Sequence, residues 1–484
     1  MRRRRSISLR FQRYFRRSGF RYAMPWLSLR RWRRRALLVA AALFAALLCI
    51  LFALGADVAI EAHRHVADRF PWLALIIAPA GFALISWLSL RFFPGTVGSG
   101  IPQAIAASFT DNRRVRRKLL SLRIAIAKIF LTLGSMLCGA SVGREGPSVQ
   151  VGASVMHLLS GRRRKNRIAS SQALIVAGGG AGVAAAFNTP LGGIMFAIEE
   201  MCRYRSFQAN TTTLTSVVFA GLMSLALLGS YTYFGQTPSM LSWPVGIWPT
   251  LACGVFGGLF GGLFCRLLIG SARGLPGKIG RFAKARPVRF SAICGLATAL
   301  TGLASGGLTW GAGYEETRAA LEGTSSLPPY FLLAKMFVIW LVFISRIPGG
   351  IFAPSLAVGA GLGANVAYFL PPDQAAAILT LGMVAFLSAM TQTPITAFVI
   401  VMEMTANHGM LLPLMATSVI AHAVARSVAP VPLYYALSFS MLRSTEASVE
   451  REMLARRATQ RSEKQESAVA TPESGDDPPS SGRG

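Results

Sequence analysis

An arginine and a glutamate stand side by side between glycines in the middle of an apolar region: Gly143-Arg144-Glu145-Gly146-Pro147-Ser148-Val149-Gln150. Pro147 suits the first position of a helix, where a missing N–H leaves nothing unpaired. The glycines leave neighbouring backbone N–H groups uncovered by side chains. Helix N-termini attract anions through such free N–H groups and the macrodipole. Glu145 is therefore a built-in anion at a place where an external anion could also bind. Burial disfavours its charge, whereas helix N-termini and Arg144 favour it. The chemistry to expect is competition between a carboxylate and a small anion, decided by a proton.

Two more stretches combine small residues with a proline that opens a helix: Gly98-Ser99-Gly100-Ile101-Pro102 and Gly349-Gly350-Ile351-Phe352-Ala353-Pro354. Each alone reads equally well as a helix-breaking turn. Together with Pro432-Leu433-Tyr434 they could supply amides and hydroxyls to one site. Glu199 and Glu200 add carboxylates inside an apolar setting, where acids are costly and face a cavity or a partner. Adjacent helical residues point about 100° apart, so at most one of them faces a pathway squarely. The bland alternative is a cytoplasmic helix end capped by charge, with Arg203 and Arg205 close by. Lys128 lies within another apolar run, either paired with a carboxylate or acting as a positive background for anions. Glu403 reads as structural.

These residues need apolar elements to hold them. The 484 residues are 52% hydrophobic and 14% charged with a mean hydropathy of +0.47, which indicates a polytopic membrane protein. The formal net charge of +30 gathers before Arg35, at Arg113 to Lys118 and at Arg162 to Arg167, all outside the apolar runs. That is the positive-inside pattern, with contact to anionic lipid heads as its companion. No motif with interleaved aromatics points to nucleic acid. The six cysteines (Cys49, Cys138, Cys202, Cys253, Cys265, Cys294) contain no CxxC pair and read as buried small hydrophobes. The five histidines lack metal-ligand spacing, so neither metal nor cofactor is expected.

Residues 1–35 form a basic, aromatic-dotted arm that lies on the membrane surface or is disordered. The arm is too long and basic for a secretory signal, so Ala36 to Leu54 reads as a retained first membrane helix. Apolar runs follow at 71–90, 122–142, 169–198, 211–234, 247–269, 289–310, 329–345, 350–370, 376–402 and 411–429. Many are broken by Gly and Pro, which is tolerated at membrane depth where backbone is shielded by protein or lines a cavity. Residues 441–484 read as a polar, disordered tail.

The chain also repeats itself. Pro147-Ser148-Val149-Gln150-Val151-Gly152-Ala153 matches Pro354-Ser355-Leu356-Ala357-Val358-Gly359-Ala360, an offset of 354 − 147 = 207. Thr189-Pro190 precedes Glu199 at the spacing by which Thr393-Pro394 precedes Glu403, an offset of 394 − 190 = 204. The membrane region, 36–440, thus divides into homologous halves at about 36–235 and 245–440. Transporters built from repeats place their substrate near the midplane, where broken helices of both halves meet. The repeat is compatible with parallel or inverted halves.

These motifs resemble the CLC family of chloride channels and chloride/proton antiporters, over about residues 90 to 440. GSGIP at 98–102, GREGP at 143–147, IEEM at 198–201, GGIFAP at 349–354, EMT at 403–405 and PLY at 432–434 carry the resemblance. It implies an all-α polytopic fold of tilted, broken helices in two inverted halves, paired as a homodimer with one pathway per subunit. It further implies chloride held by the Ser99 and Tyr434 hydroxyls and by the amides of Ile351 and Phe352, with Gly146 beside them. Glu145 takes the position of the gate and Glu200 that of the internal proton relay. Glu199, Arg144 and Lys128 take accessory positions. Serine at position 99 points to chloride, where proline or methionine accompanies nitrate or fluoride preference. Gln103 departs from the glutamate of many members, and the paired soluble (CBS) modules of eukaryotic members are not found. Neutral donors suit the task, because a full Lys or Arg contact would hold chloride too tightly for exit.

The expectation is a transporter, not an enzyme, that exchanges chloride for protons in a bacterial inner membrane. A passive voltage- or pH-gated chloride channel of the same fold is the alternative. A reading from another class is a non-transporting membrane protein whose basic arms bind lipid or nucleic acid.

Overall fold

The computed structural model describes residues 29–160, 169–203, 211–229, 232–235, 240–241 and 244–469. The arm up to residue 28, the Arg162 to Arg167 cluster, Arg205 and the tail from residue 470 lie outside the described residues. The first half contains α1 (Leu29–Arg69), α2 (Pro71–Phe92), α3 (Ile101–Phe109), α4 (Arg113–Leu119) and α5 (Leu122–Leu137). It continues through α6 (Glu145–His157), α7 (Ser171–Phe187), α8 (Pro190–Glu199) and α9 (Thr211–Leu228). The second half contains α10 (Ile247–Arg273), α11 (Gly277–Ala285), α12 (Pro287–Ala304), α13 (Tyr314–Leu321) and α14 (Phe331–Ser345). It closes with α15 (Phe352–Ala367), α16 (Ala375–Thr391), α17 (Pro394–Thr405), α18 (Leu411–Val428) and α19 (Leu433–Val469).

Eight of the described helices are long and apolar enough to cross a membrane, and five apolar helices of 10–17 residues are shorter. Three of the short ones arise where a run that looked continuous is cut. The run 169–198 breaks at Asn188, a left-handed C-cap with φ 56 and ψ 37, before Pro190 opens α8. The run 376–402 breaks in the same way at Gln392, with φ 58 and ψ 37, before Pro394 opens α17. The two breaks share the repeat offset, 392 − 188 = 204. Three boundaries differ from the sequence reading, the first being that α1 already begins at Leu29, inside the stretch 1–35 read as an arm. Helix α1 runs on past the apolar stretch and carries Asp57, Glu61 and Arg64. Residues 441–469, read as the start of a disordered tail, continue α19 as helix.

The halves are inverted relative to each other. Gly143 N–H donates to Gly350 O at 2.7 Å, and Gly350 N–H donates back to Gly143 O at 2.8 Å, as an antiparallel bridge. These glycines are repeat equivalents, 350 − 143 = 207, so a pseudo-two-fold axis passes between them. Helix packing obeys the same symmetry: α6 lies on α7 and α15 on α16. At Gly152 against Gly178, and at Gly359 against Gly382, any Cβ would strike the facing backbone. Small residues let helices approach this closely where apolar burial alone cannot drive association in lipid.

Candidate functional site

Three glycine-rich turns and the start of α19 meet in the interior. Gly349 N–H donates to Gly98 O at 3.2 Å, which ties the turn before α3 to the turn before α15. Gly100 and Gly146 fit against each other so closely that a Cβ on Gly100 would strike the Gly146 carbonyl. A Cβ on Gly146 would likewise collide with Ser99, and it would sit 3.2 Å from Gly350 Cα. The site is thus stitched from backbone, with no room for side chains between its turns.

Into this knot point Ser99 and Tyr434, both buried; Tyr434 is 0% exposed. Among the described residues neither hydroxyl completes a hydrogen bond of good geometry, although the two lie close enough to perturb each other. Beside them, α15 starts with Ile351 as its N-cap and Phe352 as its first residue, both buried. The helical ladder begins only with Ser355 N–H to Ile351 O, so the preceding amides have no partner in the helix. Glu145 opens α6 and is 1% exposed. Its carboxylate lies against Gly143 and the backbone N–H groups of Ala353 and its own residue, without reaching hydrogen-bond geometry to either. It therefore sits at the N-terminal turn of α15. A cavity lined by Asp57, Arg64, Arg144, Tyr233 and Gly313 opens beside it. Buried hydroxyls and first-turn amides, set against one acid, make a cluster of neutral donors.

The family model described as "Voltage gated chloride channel" matches residues 81–426, well over half of the 484. The chain belongs to this chloride channel (CLC) family. Its fold is similar to that of a slow cyanobacterial Cl-/H+ antiporter, with a TM-score of 0.73 and 24% identity, over 85% of this chain and 98% of that one. A CLC-type fluoride/proton antiporter gives a TM-score of 0.70 and 21% identity, over 84% and 97% of the two chains. A eukaryotic CLC transporter gives 0.64 and 20%, over 84% and 74%.

Around this donor cluster the remaining predicted residues make distinct contacts. Lys128 is fully buried and donates to Thr96 O at 2.7 Å and to Gly98 O. Among the described residues it has no carboxylate partner, contrary to the bland reading of a buried ion pair. Two carbonyls of the Ser99 turn hold it instead. Gln103 serves the same turn: its Oε1 accepts from Gly100 N–H at 3.0 Å, and its Nε2 donates to Val97 O at 2.6 Å. A carboxylate at position 103 could not make the second bond. Arg144 points away from the hydroxyls. Its guanidinium donates to Ala53 O at 2.8 Å and Asp57 at 2.7 Å and lies 5.2 Å over the Tyr233 ring.

Glu199 and Glu200 diverge, as adjacent helical residues must. The Glu199 carboxylate accepts from Ile395 N–H at 3.2 Å, Thr396 N–H at 2.6 Å and Thr396 Oγ1 at 2.8 Å, which caps α17. Glu403 returns the cap to α8, accepting from Leu191 N–H at 3.1 Å and Gly192 N–H at 2.7 Å. Glu200 is buried, with one oxygen accepting from Arg203 Nη2 at 3.3 Å and the other lacking a hydrogen-bond partner among the described residues. The structure adds three residues that the sequence reading passed over. Asp57 and Tyr233 hold Arg144. Lys335, equivalent to Lys128 by 335 − 128 = 207, donates to the carbonyls of Thr309, Trp310 and Gly311 at 3.0–3.2 Å. The repeat offset would have found Lys335; Asp57 and Tyr233 carry no sequence signal.

Proposed function

We propose that this chain exchanges chloride for protons across a bacterial inner membrane, with Glu145 as the gate and Glu200 as the inner proton relay. The observation that carries the reading is the buried pair of partnerless hydroxyls, Ser99 and Tyr434, beside the open N-terminal turn of α15. Chloride is weakly hydrated, so neutral N–H and O–H dipoles replace its water without trapping it. Glu145 as a carboxylate competes for the same helix ends. Once protonated it loses that attraction and swings toward the adjoining cavity, and the anion advances. Proton and chloride therefore use one position in turn, which couples their opposed movements.

Sidedness follows from charge. The positive-inside rule puts α4, with Arg113, Arg114 and Lys118, on the cytoplasmic face. Lys118 reaches Ser448 of α19 at 3.1 Å, so the start of α19 and Tyr434 belong to the inner side of the site. Glu200 lies within electrostatic reach of Tyr434 and supplies protons from that side. The cavity beside Glu145 is then the outer vestibule. Two copies of the chain form a homodimer, each with its own pathway, as the family resemblance implies.

Purified protein in liposomes tests the proposal. An imposed chloride gradient should drive protons uphill, read as a change of external pH. Chloride movement without uphill proton movement would replace exchange by a passive channel. No anion flux at all would favour the non-transporting reading.

A further inference from the structure

The inner acid is joined to the tyrosine of the proposed anion site through two residues, Arg203 and Gln392, to which the proposed exchange gives no role. Arg203 follows α8 and donates from Nη2 to Glu200 Oε2 at 3.3 Å, Thr391 O at 3.2 Å and Gln392 O at 2.8 Å. Gln392 is buried and is the left-handed cap that ends α16. Its side-chain Nε2 donates to Ala429 O, the last residue before the segment that leads into α19. Between Ala429 and Tyr434 stand Pro430, Val431, Pro432 and Leu433. Two prolines in so short a connection remove most of its torsional freedom. Cys265 Sγ contacts Val431 O at 3.8 Å and holds the segment from its other side. A shift at Ala429 therefore passes to Tyr434 and is not absorbed on the way.

The charged and titratable groups around this path come from every element packed on it. Glu200 faces Arg203, with Glu199 adjacent and Cys265 of α10 and Tyr434 of α19 within electrostatic reach. Arg203 is faced in turn by His422 of α18, which also feels Arg426. Among these groups Arg203 alone both touches the acid and joins it to the α16 cap. Protonation of Glu200 removes its charge-assisted bond to Arg203, while the two carbonyl bonds remain to compete for the guanidinium.

We propose that Arg203 and Gln392 are positioning residues which couple the proton on Glu200 to the placement of the Tyr434 hydroxyl, and so to chloride affinity. This rests on the proposed reading of Ser99 and Tyr434 as the anion site. Coupling between distinct sites is a free energy and is reciprocal, so a proton bound at Glu200 changes chloride affinity by the factor that chloride changes proton affinity.

Isothermal titration of purified full-length protein with chloride tests it as a double-mutant cycle. Glu200→Gln, a neutral mimic, is expected to shift the chloride Kd about five-fold in the otherwise unaltered chain. Gln392→Asn keeps a residue that tolerates the left-handed cap but shortens the amide, so that it no longer reaches Ala429 O. In that background the Glu200→Gln shift should fall below half of its logarithmic value, the remainder being direct through-space interaction with Tyr434. Arg203→Lys provides an independent route. It keeps a positive charge near Glu200, but its stem ends one bond short of the Nη2 atom that makes all three contacts, so it leaves the α16 carbonyls and should shrink the shift likewise. A Glu200→Gln shift below two-fold overturns the inference, and so does one that persists above half in both backgrounds. Chloride binding by the unaltered chain alongside either result leaves the anion-site reading standing. No chloride binding by the unaltered chain overturns both.

Discussion

At the scale of single residues, the site turns on where one carboxylate is placed. Glu145 sits at the first turn of α15 although it belongs to α6, and its twin position in the second half is Phe352. The duplicated scaffold supplies helix ends twice, but an acid only once. On the proposed competition between the Glu145 charge and chloride, rising pH should slow chloride flux in the unaltered chain by increasing the blocking carboxylate form. Glu145→Gln should keep anion flux, lose proton movement and show a flat pH profile, all read in the liposome assay; a retained pH dependence would move the gate elsewhere. The sequence announced Glu145, Ser99 and Tyr434 because each sits in a motif with glycine or proline beside it. It was silent on Asp57, which follows an apolar run without interruption and gains meaning only when α1 carries it beside Arg144 at 2.7 Å.

At the scale of elements, short helices are held by acids from their symmetry partners. Glu199 caps α17 and Glu403 caps α8 with matching geometry, each carboxylate spanning two successive N–H groups. Carboxylates at helix N-termini are stabilising through both these bonds and the macrodipole. Glu199→Gln should therefore cost stability, about 1 kcal/mol, seen as a lower apparent Tm in detergent, while proton-driven exchange continues. Glu200→Gln should do the reverse, abolishing proton transport and sparing chloride movement. If Glu199→Gln also stops protons, the division of labour between the neighbours is wrong. Motif spacing alone paired Glu199 with Glu403, yet it could not show that each caps the helix of the other half. Hydropathy averaged over each run hid the breaks at Asn188 and Gln392, although the Asn188-Thr189-Pro190 and Gln392-Thr393-Pro394 triplets carry them.

At the scale of the whole molecule, the proposed anion site is where the inverted halves are fastened together. Gly143 and Gly350 exchange hydrogen bonds across the pseudo-two-fold axis, and the proposed chloride ligands come from both sides of it: Ser99 from the first half, Ile351, Phe352 and Tyr434 from the second. The offset of the repeat made two halves legible but left their sense open; the family resemblance implied inversion, and the antiparallel bonding of twin residues displays it. A chloride at this junction would bridge donors from both halves, so it should stabilise the assembled fold and not merely occupy it. Binding to the folded state adds RT ln(1 + [L]/Kd), about 2.7 kcal/mol at a hundred-fold excess over Kd. The apparent Tm of the purified chain should accordingly rise with chloride concentration at constant ionic strength, and a large organic anion that cannot enter the knot of glycines should have no such effect. Ser99→Ala and Tyr434→Phe each remove one donor from the junction and should flatten the chloride dependence while leaving the chloride-free Tm close to that of the unaltered chain, because neither hydroxyl has a protein partner to lose. An equal rise with the organic anion would mean general screening of the +30 chain, and would separate the stability of the junction from anion binding there.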